Sequence, residues 1–387
     1  MKEYIVTQDI LNIRSSATDV GDDNFIGQLS VGETLYLTDD EIIGVIPKGG
    51  TKNIWKTDNL NRLVALDGVR LKNYADKKAE FIADPYNQGF IDPADPNDES
   101  KWKVSWGIVD LEVWKIWRDY NTQGEGITIA VIDTGVISDN NDLNGRISNK
   151  SMSIISESIQ DNSTLKHGTM SAGLIGADGA TASTVYGIAP KCELIVIKAG
   201  DDGYYPIDIY NAINKAKDLG ADIVSISIEC YDQIQNLKTF FTNCKTSEIL
   251  FFAAVGDMGN QSISYPASYD GCFSVGSYGL DDNKNRITDS HNNKNEFIKF
   301  LCPGVDILTC SPTSTPVEFN YSSAATAFAS GLMALVISAS RKGTPNFNSL
   351  LNSLQSNNCT ENISENPVLN MEGYGVLIPQ SLINNLT

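Results

Sequence analysis

Runs of β-branched and small apolar residues, each closed by a glycine or a polar turn, recur along the middle of the chain. Ile127-Thr-Ile-Ala-Val-Ile132, Glu193-Leu-Ile-Val-Ile-Lys198, Ala221-Asp-Ile-Val-Ser-Ile-Ser227 and Ile249-Leu-Phe-Phe-Ala-Ala-Val255 show little polar alternation. That pattern predicts strands buried on both faces of a parallel sheet. Between the second and third runs, Ile209, Ala212, Ile213, Ala216 and Leu219 keep helical spacing and stop at Gly220. Strand, helix, strand in this rhythm gives a parallel sheet with covering helices. Leu111, Val113, Trp114 and Trp117 suit a short amphipathic helix within Val109–Tyr120, and Asn320–Ile337 opens on polar residues before a long helix of small and apolar ones.

The first 78 residues follow another rhythm. Tyr4-Ile-Val6, Leu11-Asn-Ile-Arg14, Phe25–Leu29, Glu33–Leu37, Ile42–Ile46, Ile54-Trp55 and Val69–Leu71 are short strand-like runs separated by turns, as in a small all-β barrel. Residues 79–105, with Pro85, Gly89, Pro93, Pro96 and many Asp and Asn, read as an extended linker. Trp102 and Trp106 at its end pin it to a neighbour. The expected organisation is therefore a barrel over 1–78, a linker over 79–105 and a large α/β domain over 106–387.

A length of 387 residues is ample for two or three domains. The net charge of −19 argues against nucleic acid or an anionic membrane as partner. No apolar run reaches the roughly 20 residues of a membrane span. Seven cysteines without metal-ligand spacing favour free thiols in a reducing compartment. The first ten residues lack the apolar core of a signal peptide. The expected location is cytoplasmic if Met1 is the native start, and secreted or cell-surface if the chain has been trimmed.

Three stretches carry chemistry. The first strand run ends on Asp133, followed by Thr134-Gly135. A charge at the carboxyl end of a buried strand is costly unless it is hydrogen-bonded or working, and that edge is where open α/β sheets bind ligands. His167, one of only two histidines, heads His167-Gly-Thr-Met-Ser-Ala-Gly173, a helix of small residues able to press against a sheet. The other, His291, lies in a polar turn and reads as solvated. Ser322 and Ser323 precede the last long helix, whose N-terminal N–H groups favour a developing anion. One of the two serines can be an N-cap.

In this order and with these flanks, the chain resembles a subtilisin-like serine protease over residues 106–387. Asp133-Thr-Gly, His167-Gly-Thr, Asp222–Ser227, Tyr265-Pro-Ala267, Ser274-Val-Gly276, Cys302-Pro-Gly304 and Gly373-Tyr-Gly375 carry the resemblance. It implies a doubly wound, mostly parallel sheet with helices on both faces. It also implies a serine endopeptidase acting on protein or peptide substrates through Asp133, His167 and Ser323. Ser323 follows from alignment on Gly331, with Ser322 as the fallback. The resemblance places Ser225, Ser227, Glu229 and Gly256 at the substrate, which would lie extended beside Val224–Ser227. Glu229 would favour a basic substrate residue. Residues 1–78 resemble bacterial SH3-like domains, which implies a clamp packed on the catalytic domain or a binder of peptides or cell-wall fragments.

The chain departs from the family pattern at several positions. Tyr321 replaces a glycine, Ala327 a proline and Glu229 a glycine, and Asp257 stands where an asparagine would donate to the oxyanion. A neutral carboxylic acid can donate in its place. A peptide-binding scaffold that does not cleave is the alternative that Tyr321, Ala327 and Asp257 motivate, and an SH3-like cell-wall or peptide adaptor is another. No cofactor is required. Calcium is the one metal the resemblance implies, with Asp142 and Asp178 as candidate ligands.

Overall fold

In the computed structural model the described residues are 74–386 except 85–86, 88–102, 180–183, 234, 245–248, 313–314, 341–346, 356–358 and 364–371, preceded by the backbone of seven strands. Two compact units divide the chain, residues 1–77 and 78–387. In the first, β1 (Lys2–Val6), β2 (Ile10–Arg14), β3 (Phe25–Ser30), β4 (Thr34–Ile43), β5 (Ile54–Asp58), β6 (Leu63–Ala65) and β7 (Val69–Leu71) form one sheet. Its order is β3-β2-β6-β5-β4-β1-β7, and its pairings are antiparallel.

The start of the expected linker is not extended. Tyr74–Ala83 forms helix α1, as its Ala, Lys and Glu content favours. Phe81 is buried and meets Trp114 edge-on at 6.0 Å. Readings that fall on residues 85–86 and 88–102, Trp102 included, lie outside the described residues. β8 (Lys103–Val104) precedes two short helices where one was expected, α2 (Trp106–Asp110) and α3 (Val113–Asp119). Glu112, with φ of 51°, breaks them apart.

The second unit is built on a ten-stranded sheet. Its strands are β9 (Thr128–Asp133), β10 (Met152–Ser153), β12 (Glu193–Lys198), β13 (Ile223–Ile226), β14 (Leu250–Ala254), β15 (Phe273–Leu280), β16 (Arg286–Thr288), β17 (Phe300–Pro303), β20 (Thr360–Glu361) and β21 (Val376–Leu377). The order is β10-β12-β9-β13-β14-β15-β17-β21-β20, with β16 beside β15. All pairs are parallel except β15/β16 and β20/β21. The short β11 (Val185–Tyr186) pairs β8, and β18 (Ile307–Thr309) pairs β19 (Val317–Phe319).

Both sheet faces are covered, which is why the strands are apolar throughout. On one face Ile209, Ala212, Ile213 and Ala216 of α5 (Pro206–Asp218) and Leu237 and Phe241 of α6 (Gln235–Cys244) pack on Ile132, Ile197, Val224 and Phe251. On the other lie α4 (His167–Gly176) and α7 (Tyr321–Ser340), packed on each other. By length and composition α7 could cross a membrane, contrary to the reading that no run is long enough. It is instead a core helix, 94% buried within the fold. Helices α8 (Phe347–Gln355) and α9 (Pro379–Leu386) complete the described elements.

After β9 the chain runs to β12 on one side and then returns to β13 on the other. The strand order therefore reverses at β9. The carboxyl end of β9, where Asp133 sits, is a topological switch point, the place where such sheets bind ligands.

Candidate active site

Asp133 is fully buried at that switch point. Its Oδ1 accepts from Thr134 N at 2.7 Å and lies 2.7 Å from His167 Nδ1, and its Oδ2 accepts from Ser171 Oγ at 2.9 Å. Tyr204 OH stands 3.5 Å from Oδ1. A carboxylate only accepts, so Nδ1 of His167 is the donor, and in the neutral ring Nε2 keeps its lone pair. The Phe319 ring meets the imidazole edge-on at 5.1 Å. Burial works against the imidazolium, but Asp133, with Asp161 and Asp257 behind it, outweighs burial and raises the His167 pKa.

The first turn of α4 is fixed from outside its own sequence. Lys166, the residue before it, has φ of 55° and makes no side-chain cap. Thr134 Oγ1 accepts Gly168 N at 2.8 Å, and Asp161 Oδ2 accepts Thr169 N at 3.0 Å and Thr169 Oγ1 at 2.9 Å. Two of the helix's unsatisfied N–H groups are thus met by residues from the loops around the site. A Cβ on Gly168 would come within 2.2 Å of Gly135 O, so glycine there lets α4 touch the Asp133 loop.

Ser322 and Ser323 part company at the start of α7. Ser322 is fully buried; its N–H donates to Asp257 Oδ1 at 2.9 Å and its Oγ accepts from Gly256 N at 3.3 Å. Ser323 is half-buried. Its Oγ donates to Ser227 O at 2.9 Å, and Ser227 Oγ donates to Ser323 O at 3.1 Å.

The expected oxyanion block, Gly256-Asp-Met258, is braced rather than open. Gly256 has φ of 96°, and a Cβ there would meet Asn293 Nδ2 at 2.3 Å and Glu229 Oε2 at 2.4 Å. Glu229 Oε2 accepts Tyr231 OH at 2.8 Å and Asp257 N at 3.2 Å. The buried Asn293 takes Met258 N at 2.9 Å and donates to Val255 O at 3.1 Å. Burial pushes the Asp257 carboxyl up to about 6 against the hydrogen bonds from Ser322, with Glu229 and Asp289 adding to the rise.

Two readings are corrected here. Ser225 is fully buried in β13, paired with Val131 on one side and Phe252 on the other. It is a core residue, and the exposed edge expected along Val224–Ser227 is occupied through Ile226 by β9 and β14. His291 is not merely solvated. Its Nδ1 lies 2.8 Å from Asp289 Oδ1 and its ring lies 4.6 Å from that of Tyr321.

Sequence reasoning also missed Ser171, Tyr204, Asp161, Asn293 and Phe319. Ser171 alone carried a signal, since it lies four residues after His167 on the same helix face.

The calcium candidates are adjacent: Asp178 N donates to Asp142 O at 3.0 Å. Asp142 Oδ1 and Asp178 Oδ1 are both buried with no hydrogen-bond partner. Burial raises both pKa values, and the charge of Asp178 raises that of Asp142 further. Two orphaned carboxylate oxygens, on residues joined by a backbone hydrogen bond, suit a hard cation.

A buried aspartate holding a histidine, with a helix-borne serine at the same edge of a doubly wound sheet, is an arrangement suited to a serine-type hydrolase. The chain matches the Subtilase family over residues 124–375 and belongs to it, a serine endopeptidase. It is similar to the thermophilic serine proteinase of Bacillus sp. (strain AK1), 28% identical over 75% of this chain and 69% of the relative. It is also similar to subtilisin BL of Lederbergia lenta, 33% identical over 60% of this chain and 84% of the relative. Among solved structures it resembles the prenylagaramide maturation protease PagA, with a TM-score of 0.59 and 25% identity over 71% of this chain and 98% of that one.

Proposed function

We propose that Ser323 is the nucleophile, His167 the general base and then acid, and Asp133 the residue that orients the imidazole. The observation carrying this reading is the Asp133–His167 pair, which leaves Nε2 as the basic nitrogen at the sheet edge where the half-buried Ser323 opens α7. Ser323 Oγ attacks the scissile carbonyl as Nε2 takes its proton, and the carbonyl oxygen becomes an oxyanion. Nε2–H then protonates the leaving amine, the C–N bond breaks and the acyl group stays on Ser323. Water, deprotonated by Nε2, hydrolyses the ester.

In this structure the Ser323 hydroxyl donates to Ser227 O, so attack begins with its rotation toward His167. The Ser323 backbone N–H and the Asp257 carboxyl face the oxyanion. Asp257 Oδ1 is taken by Ser322 N, which leaves Oδ2 for the proton that donates. Ser322 is engaged on both its N–H and its hydroxyl, which favours Ser323 over it. Tyr321 holds φ of 71°, the region its glycine counterpart would use, which argues against a collapsed, non-cleaving turn.

The substrate is an extended polypeptide entering at Ser227–Glu229, beyond the last paired residue of β13. Glu229 gives that rim a negative charge suited to a basic side chain. Exchange for glycine is expected to lower kcat/KM for an arginine peptide relative to its alanine analogue, and an unchanged ratio would remove this preference. Calcium, held by Asp142 and Asp178, would support the fold and take no part in the chemistry. The N-terminal sheet is an SH3-like barrel serving as a clamp or a peptide-binding module.

The test is hydrolysis of an unfolded protein substrate by the whole chain and by Ser323→Ala. Turnover by the wild type that falls about 10³-fold or more in the variant supports the reading; equal turnover by both overturns it.

A further inference from the structure

A tyrosine enters the left-handed region only where its surroundings hold it, and Tyr321 has φ of 71°. Its N–H donates to Gly304 O at 2.6 Å. Its ring lies against His291, with centroids 4.6 Å apart and planes tilted by 54°. The imidazole is itself fixed: Asp289 Oδ1 accepts from His291 N at 3.0 Å and meets Nδ1 at 2.8 Å. Through its other oxygen the buried Asp289 accepts Ser277 Oγ at 2.7 Å, and Ser277 belongs to the central strand β15. A chain of contacts therefore runs from the sheet through Asp289 and His291 to Tyr321. The next two residues are Ser322, whose N–H is aimed at Asp257, and Ser323. Two residues beyond His291, Asn293 braces the oxyanion block from the same turn.

We propose that the Asp289–His291 pair is a positioning element for the catalytic serine. It holds the Tyr321 ring, which keeps that residue in the left-handed conformation and sets the turn that points Ser323 into the cleft. Neither Asp289 nor His291 touches substrate in this role. A glycine at 321 would reach the same conformation unaided, so the pair matters only because the residue is tyrosine. The inference rests on Ser323 being the nucleophile.

The experiment is a double-mutant cycle, with kcat and KM measured on an unstructured peptide for wild type, His291→Ala, Tyr321→Gly and the double variant, beside crystal structures of wild type and His291→Ala. The His291 side chain is 54% exposed, and the bond from Gly259 N to His291 O is made by backbone, so the fold does not depend on the ring. His291→Ala is expected to lower kcat about tenfold with KM within about twofold. In the Tyr321→Gly background the same change should alter kcat by no more than about twofold. In its crystal structure Tyr321 should leave the positive-φ region.

An equal loss in both backgrounds, or a loss confined to KM, would overturn the proposal. Failure of the nucleophile reading shows separately, as a wild-type protein that takes no fluorophosphonate on Ser323. The crystal structures then decide, and Tyr321 unmoved in His291→Ala rules out the positioning role.

Discussion

Asp257 and His167 set opposing demands on pH. Burial first, then neighbouring carboxylates, hold the Asp257 carboxyl up at about 6. Below that pH it is neutral and can donate to an oxyanion; above it, it ionises and repels one. His167 must be neutral to act as base, and against the effect of burial Asp133 raises its pKa over that of a free imidazole. The base is therefore ready where the donor is mostly lost. One oxyanion donor is worth about 10²-fold or more in turnover. Asp257→Asn should accordingly raise kcat at about pH 8 by roughly tenfold or more, with the gain shrinking below about pH 6. Its acid limb should also move to lower pH, since the Asp257 charge helps to raise His167. Profiles of kcat against pH for the two proteins check this, and a variant no faster than wild type at about pH 8 contradicts it.

The residue scale also separates what the sequence could say from what it could not. Asp133 and His167 were legible because each is a costly residue in an apolar setting: a charge ending a buried strand, and one of two histidines opening a small-residue helix. Pattern preferred Ser323 to Ser322 only through alignment on Gly331, because both open the same helix. Burial and partners distinguish them, and these are set by Asp257 and Ser227 far off in sequence. The ring contact of His291 with Tyr321, thirty residues on, carries no local signal.

At the scale of elements, the parallel strands and α5 were plain from apolar continuity and helical spacing. Ser225 shows the limit of that reading. Nothing in Asp222–Ser227 says where pairing with β9 and β14 stops, and the answer, Ile226, decides which residues can meet a substrate. The Tyr74–Ala83 helix was hidden by the prolines and acidic residues that follow it.

The site depends on how closely α4 approaches the loop after β9, and Gly168 sets that distance. A methyl there would sit 2.2 Å from Gly135 O and 3.1 Å from Asp133 Cβ. Gly168→Ala should displace the helix and with it His167, lowering kcat about 10²-fold while leaving KM within about threefold. Steady-state kinetics on a peptide, with circular dichroism as a folding control, checks this; a folded variant with unchanged kcat would mean the helix contact does not set the catalytic geometry.

For the molecule as a whole, the net charge of −19 sets an acidic surface field that attracts cations. Asp142 and Asp178 each keep one buried oxygen unpartnered. A cation that binds the folded state raises its stability by mass action. Millimolar calcium should therefore raise the wild-type Tm by a few degrees over chelator, about 1–2 °C for each kcal/mol at this size. Asp142→Asn should lose most of that rise and melt no lower than wild type in chelator, because it removes a buried charge. Scanning calorimetry in the two buffers measures both, and equal shifts in the two proteins would place any calcium elsewhere.

The central claim is that a reactive serine, Ser323, works with His167 at the β9 switch point. Fluorophosphonate labelling of the whole chain, with the modified peptide mapped by mass spectrometry, tests it most directly. The predicted result is a single adduct on Ser323 that disappears in His167→Ala. An adduct on Ser322 would contradict the assignment of the nucleophile. Absence of any adduct across about pH 5–9, with calcium and without it, would contradict a working site.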